Sequence, residues 1–483
     1  MSLVIQQKPK YRLVPVGSNI IYTMYDSFTI NPNSNKFKIK YTASVYVSNK
    51  TANLVTNNNR VGVFKVSPNG EGYGIFDFSS VLQNYVSPEY TGGTVNNTNN
   101  INNSSYNTVE FSENTPHSIH QIDNFSTNRN CVRYVAVRFN IEASDTATES
   151  VTNQYTGNTI ADTILIYNGV LYDTDILKLG SSGNFGYNLD HYGFIMNSNT
   201  DKFLTNSPTT QYIRENDYYT LSFFSGYDWD FEVGSTGDTY PVVRSIKLQF
   251  YYNGSTTGSL ITKTSEPSTG GHRLSINDSN TKLQFAGVGT GNLVGSGLTL
   301  PTNWDYYTVN AHDHNDTSIS ATYYFYNQNE DCKNFETIRL TWLNKFGVWD
   351  YYNFTKKSVR TLNTSRKSFK QITGTWNKSK FRLDGHTGGT KYFNNNTTET
   401  IRLNTDYITE SEGIWLEELF ISNDVYILEQ RSADDSDEGY MRKYVKPTRI
   451  TDSSHTRKTI ANDKLIQYTF NIELDKTKKS QLM

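Results

Sequence analysis

Residues 332–354, CKNFETIRLTWLNKFGVWDYYNF, leave few folds open to this chain. Ile338, Leu340 and Trp342 alternate with Thr337, Arg339 and Thr341, the period of two expected of a strand with one buried face. Asn344-Lys345-Phe346-Gly347 then reads as a tight turn: Asn suits its first corner, and Gly takes the positive φ that closes a hairpin with a bulge. The return strand, 348–354, carries Trp349, Tyr351, Tyr352 and Phe354.

Composition extends that reading to the whole chain. Charged residues make up 19 % of the 483, below the roughly 25 % of ordinary globular proteins. Polarity therefore rests on Asn, Thr and Ser. Tyr (35) and Phe (25) are abundant while Pro (11) and Met (5) are scarce, which favours pleated, half-buried surfaces joined by turns. The length admits two to four domains. The expected fold is mainly β and multi-domain, with at least one immunoglobulin- or fibronectin-like β-sandwich and a C-terminal α+β domain with one short helix.

A net charge of −2 creates no bulk field toward nucleic acid or an anionic membrane, so direct nucleic-acid binding is not expected. Nor is membrane insertion, since no apolar run approaches the ~20 residues a span needs. The start, MSLVIQQKPKYR, shows no signal-peptide core. Cys131 and Cys332 are too few for a disulfide framework and read as buried small hydrophobes of a protein made in a reducing cytoplasm.

Four segments are expected. In 1–145, strands fall at 37–48, 61–66 and 132–142, the last with Val135, Val137, Phe139 and Ile141 on one face and Arg138, Asn140 and Glu142 on the other. Ser80 with Gln83 has capping-box spacing for a short helix. Residues 90–130, rich in Asn, Thr and Ser, read as a long surface loop. Within 146–209, Asn168-Gly169 predicts a type I′ hairpin over 164–172. From 210 to 375, seven or eight short strands, with turns such as Asn253-Gly254, make the sandwich. The echo NWDYY (303–307) and VWDYY (348–352) is taken as two similar strands of it. In 376–483, Thr409-Glu410-Ser411-Glu412 is a capping box before Trp415, Leu416, Leu419 and Phe420 on one helical face. Strands follow near 440–451 and 465–474.

The 332–354 hairpin resembles one that recurs in structural proteins of tailed-bacteriophage particles, where a Cys-Lys pair precedes W-L-N-(basic)-(apolar)-G and then W-D-Y/F. The aromatic–Asp–aromatic step at Phe76-Asp77-Phe78, leading toward Asn84-Tyr85-Val86, is similar to the opening of those proteins. The W-L-E-E-L helix followed by ITDSSHTRKT and an alternating strand is similar to their close. The resemblance implies a non-enzymatic virion component of the tail, baseplate or neck (collar). It would be a homo-oligomer whose partners are other copies of itself and neighbouring virion proteins. The alternative is a module that binds a host-surface glycan; an enzyme such as a glycan depolymerase is the third reading.

Candidates for chemistry are sparse. His312 and His314 would share a strand face with Asp316 nearby, but no third His or Cys lies close, so a solvated turn is expected of residues 312–316. His117 and His120 sit in the Asn-rich stretch. Asp434-Asp435-Ser436-Asp437-Glu438-Gly439 clusters oxygens around a Gly without calcium-loop spacing, and reads as an acidic turn. Glu417 with Glu418 and Asp228 with Asp230 are neighbours that usually point apart, so no catalytic pair is assigned. Gly287-Val288-Gly289-Thr290-Gly291 has phosphate-loop flavour but no strand–helix context and no Lys, and flexible turns are expected there. Arg442, Lys443, Lys446, Arg449, Arg457 and Lys458 would form a solvated basic face or meet an acidic subunit. Trp229, Trp304 and Trp349 would stack on sugar rings if exposed, although core or subunit packing is the preferred reading. No catalytic, cofactor or metal residue is assigned, and no cofactor is expected.

Overall fold

A computed structural model describes the chain apart from residues 1–2, 28, 32–34, 88–119, 121–124, 128–130, 155–159, 171–176, 180–183, 187–188, 190–191, 225–242, 265–278, 280–281, 296–297, 329–334, 377–378, 384, 386–387, 431–444, 455, 457–465 and 475–483. His117, Asp228, Trp229, Asp230, Cys332, the 434–439 run, Arg442, Lys443, Arg457 and Lys458 lie outside the described residues. The protein is mainly β, with few and short helices. It divides into two compact units: Met1–Asn329 with Leu343–Asp350 and Gln430–Met441, and Glu330–Trp342 with Tyr351–Glu429 and Arg442–Met483.

In the first unit, Phe37–Ser48 and Val132–Ser144 pair antiparallel at the centre of a six-stranded sheet. Ile160–Tyr167 joins that sheet from beyond residue 145, antiparallel to Val132–Ser144 and parallel to Leu13–Pro15. A second sheet, formed by Val4–Gln7, Ile21–Tyr25 and Gly74–Asp77, packs over it. Tyr22 and Phe76 set their rings 5.3 and 5.9 Å from Phe139. Val135, Val137, Phe139 and Ile141 share the core face as expected. The opposite face is wetter in sequence than in fact: Arg138 is exposed, but Asn140 and Glu142 are buried, and Lys65 donates to the Glu142 carboxylate at 2.7 Å.

Two local expectations fail here for visible reasons. Asn168-Gly169 does not turn Ile160–Tyr167 back into a hairpin partner, because that strand already has a strand on each side and leaves no edge for a return strand; residues 171 and 172 of the predicted hairpin lie outside the described residues. Asn168 and Gly169 lack positive φ, and the Val170 amide instead donates to Lys345 O at 2.8 Å. The short helix Ser79–Leu82 exists without its capping box: Asp77 Oδ1, three residues ahead of the predicted cap Ser80, accepts from the Ser79 amide at 3.0 Å.

Cys131 is buried as predicted, its thiol donating to Ser87 O at 3.2 Å, and burial pushes its pKa up to about 12. A raised folded-state pKa stabilises the fold fully below the ordinary thiol value of ~8.5, and the contribution is lost as pH climbs toward 12. In a Cys332→Ser chain, Cys131 should therefore be inert to a disulfide reagent at pH 8 and react fully in urea. Reaction of the folded protein at the rate of a free thiol would refute this.

The rest of the first unit is the expected β-sandwich. Five strands (Thr210–Ile213, Tyr323–Asn327, Tyr306–His312, Ser245–Tyr252, Ser255–Thr264) face three (Thr220–Phe224, Leu283–Gly287, Phe125–Thr127). Tyr219 meets Phe325 edge-on at 4.9 Å, and the Tyr307 hydroxyl donates to Val288 O at 2.9 Å. Asn253-Gly254 makes the predicted tight turn, with φ of 48° and 73°. Part of the Asn-rich stretch is structural rather than loop. Residues 125–127 supply a strand, and buried His120 accepts from Asn292 Nδ2 through its carbonyl at 2.9 Å. The two echoed aromatic segments are not partners in one sandwich: Tyr306–His312 lies in this sheet, Trp349–Phe354 in the sheet of the second unit.

That sheet has seven strands, ordered Trp349–Phe354, Ile338–Leu343, Val425–Leu428, Val445–Ile450, Thr469–Leu474, Gly389–Asn404 and Val359–Gln371. The helix Glu410–Ile421 starts at the predicted capping box, Thr409 with Glu412. It lays Trp415, Leu416 and Leu419 on the sheet, with Trp415 5.2 Å from Trp342. Strand and helix thus make the α+β domain, with one α-helix among the described residues. The strand at 338–343 is buried on both faces, not one: Arg339 is 1 % exposed, donates to Asn353 Oδ1 at 2.7 Å and lies over the Tyr351 ring at 5.2 Å. A cation is tolerable there because it has both an acceptor and a ring face.

Candidate interaction surfaces

The predicted chemical candidates resolve into structural roles. His312 ends a strand, and its Nδ1 lies 2.9 Å from Asp316 O. Asp313 accepts from the amides of Asn315 and Thr317, closing the turn. Asp316 is held below the usual carboxylate range, chiefly by the hydrogen bond from Lys247 at 2.6 Å. The described residues contain no group of three or more metal-ligating side chains. Glu417 and Glu418, successive on the helix, diverge, with Glu418 buried and Glu417 half-buried. Trp304 and Trp349 are buried, so neither offers a sugar platform. Lys446 pairs with Glu429 and Arg449 with Glu473, both at 2.6 Å.

The glycine run does stand between a strand and a helix, Leu283–Gly287 and Thr290–Gly295, which the sequence reading did not anticipate. Its amides are already spoken for: Gly289 donates to Tyr219 O at 3.0 Å and Gly291 to Asp217 O at 2.8 Å. A Cβ on Gly289 would lie 2.4 Å from Tyr219 N, so the glycine permits backbone contact rather than phosphate approach.

Two surfaces remain that could meet a partner. The first is the outer face of the five-stranded sheet. Register places Tyr212, Tyr326, Tyr306 and Tyr251 directly opposite one another across four strands. Successive ring centroids are 6.1, 5.1 and 4.8 Å apart. The strand YYTVNAH alternates strictly, sending Tyr307, Val309 and Ala311 to the core and Tyr306, Thr308 and Asn310 outward. Lys247, Gln249, Asn310 and Tyr324 border an open concavity of about 570 Å³ beside the ladder. Desolvation, then the neighbouring tyrosines, push the Tyr306 phenol up, so it stays a hydrogen-bond donor. Tyr251 and Tyr306 are stacked within 9° of parallel, which covers one face of each ring and leaves edges and hydroxyls as the main contact groups.

The second surface is an arm. Only Thr400–Asn404 of its inner strand pairs with Thr469–Leu474; residues 389–399 pair with 362–371 alone. Ten residue pairs at ~3.3 Å each carry this two-stranded ribbon roughly 30 Å beyond the sheet. Its stem is mostly Thr, Ser, Asn and Lys, and the large side chains it also carries, Leu362, Phe369, Tyr392 and Phe393, are all exposed, so neither face forms a core. At the base, Arg360 binds Glu399 at 2.9 Å and Glu336, and the Glu336 bond leads in raising its pKa. The distal end is apolar and exposed: Ile372 73 %, Trp376 72 %, Leu383 69 % and Phe381 58 %. Trp376 and Phe381 pack at 5.3 Å, and Trp376 Nε1 donates to Thr373 O at 2.9 Å. The arm is also basic: residues 361–398 hold seven Lys and Arg against one Asp.

No protein-family model matches the chain, and neither does any curated protein. Among solved structures, a trypsin-activated alpha-2-macroglobulin from Escherichia coli shares 8 % identity over 98 % of this chain and 23 % of its own, at a TM-score of 0.19. The chain spans under a quarter of that protein's length, and a likeness this slight bears on neither fold nor function.

Proposed function

We propose that this chain is a non-enzymatic structural component of a tailed-phage virion, in the tail, baseplate or neck, made in the host cytoplasm and assembled as a symmetric oligomer. The observation that carries the reading is the arm. An isolated two-stranded ribbon is at best marginally stable in water, and one that ends in four exposed large apolar side chains is built to be covered. The likeness of the 332–354 hairpin to phage structural proteins supplies the setting. Shotgun peptide counting of purified particles tests it: the chain should be present at a fixed copy number relative to the other virion proteins. Absence from particles, or turnover of a polymer by the free chain, would sink the proposal.

The tyrosine ladder favours a second reading, a host-surface glycan as ligand, because Lys247, Gln249 and Asn310 set hydrogen-bonding groups beside aromatic rings. A glycan array decides it. Binding by the native chain that Tyr306→Ala weakens at least tenfold would establish the glycan site; an array without signal would remove it.

A further inference from the structure

We infer that the tip of the arm docks on the outer face of the Glu410–Ile421 helix of a second copy of this chain. The inference deepens the assembly reading and rests on it. The helix buries Trp415, Leu416 and Leu419, yet its opposite face is not the usual polar one. Ile414 and Ile421 are 48 % and 64 % exposed, and Tyr407, just ahead of the cap, is 66 % exposed. Glu410, exposed, and Glu417, half-buried, fall on the same helical stripe at positions i−4 and i+3 from Ile414. The face is therefore apolar with acid between. The tip is its complement, Ile372, Trp376, Phe381 and Leu383 among Lys370, Lys380 and Arg382.

Charge bookkeeping points to the same occupant. The arm segment 361–398 is net +6 in a chain of net −2, so the remainder carries −8. Copies of one molecule then attract arm to body and repel body from body, which favours a head-to-tail contact over a face-to-face one. A head-to-tail contact uses two different patches per copy and closes into a ring when the rotation allows. Within one copy Tyr407, Ile414 and Ile421 on the helix side and Ile372, Trp376, Phe381 and Leu383 at the tip are all exposed.

Full-length protein in sedimentation velocity tests this. The native chain should self-associate at low salt into a species of defined size, and weaken at least tenfold between 50 and 500 mM salt. Lys380→Glu with Arg382→Glu should abolish association, as should Glu410→Lys with Glu417→Lys. Mixing these two variants should restore it, because the reversed tip of one then meets the reversed face of the other, and the native tip of the second meets the native face of the first, each a contact of opposite charge. Far-UV circular dichroism of each variant guards against unfolding. A native chain that stays monomeric at 100 μM, association indifferent to both charge reversals, or a mixture that does not recover would overturn the inference. So would a monomer whose tip binds phosphatidylglycerol vesicles and loses that binding with Trp376→Ser, which would assign the tip to a membrane surface. Fixed-copy incorporation into particles together with any of these results would reject the arm contact and leave the virion reading standing.

Discussion

Trp342→Ala should cost the second unit about 3–5 kcal/mol, the range for removing a large aromatic from a packed core. Trp342 is fully buried, and its ring packs 5.2 Å from Trp415, the residue through which the helix holds the sheet. Truncation opens a cavity at the point where helix and strand meet. Trp342→Phe should be far milder, within about 1.5 kcal/mol, because a ring is kept. The lost Nε1 also leaves nothing stranded, since it has no hydrogen-bond partner among the described residues. Urea unfolding followed by circular dichroism gives both values; equal losses would mean that the indole nitrogen, not ring volume, holds the contact.

Gly347→Ala should cost about 3 kcal/mol or more. Its φ of +74° alone makes any side chain unfavourable by ~1–2 kcal/mol. A Cβ there would also sit 1.6 Å from Asn168 O, a backbone atom that cannot swing away, and relieving such overpacking costs a further ~1–3 kcal/mol. Gly254 separates the two effects: its φ is +73° with nothing within 4 Å of the Cβ position. Gly254→Ala should therefore lose only the ~1–2 kcal/mol of backbone strain. If the two variants melt alike, the approach of Asn168 to the turn carries no energy.

These two residues mark how far the sequence could be read. The WLNKFG hairpin was legible because alternation and turn chemistry are local. That its turn glycine also makes room for Asn168 was not, because residue 168 is distant in sequence. Asn253-Gly254 and Asn168-Gly169 are the same dipeptide with opposite outcomes. The first joins strands that have free edges for each other, while the second follows a strand already flanked on both sides. The tyrosine ladder needed four strands in register, and abundance of Tyr does not specify register. The arm was missed for a different reason: period-two reasoning detects a buried face, and both faces of this ribbon are exposed, Leu362, Phe369, Tyr392 and Phe393 included. Its signal lay elsewhere, in seven cations against one acid between 361 and 398 with Trp376 and Phe381 at the centre. The Gly287–Gly291 run misled in a milder way, since residue types that suit a turn also suit close backbone contact before a short helix.

The discontinuity of both units has a consequence for biosynthesis. The first 329 residues must wait for 343–350, and the second unit's sheet needs Val445–Ile450 and Thr469–Leu474, which stand between strands made earlier. At ~5–20 residues per second, the stretch from 351 to 474 takes the ribosome about 6 to 25 s. For that interval the second unit stands unfinished, so termination between 351 and 444 yields a product whose second sheet lacks two of its inner strands.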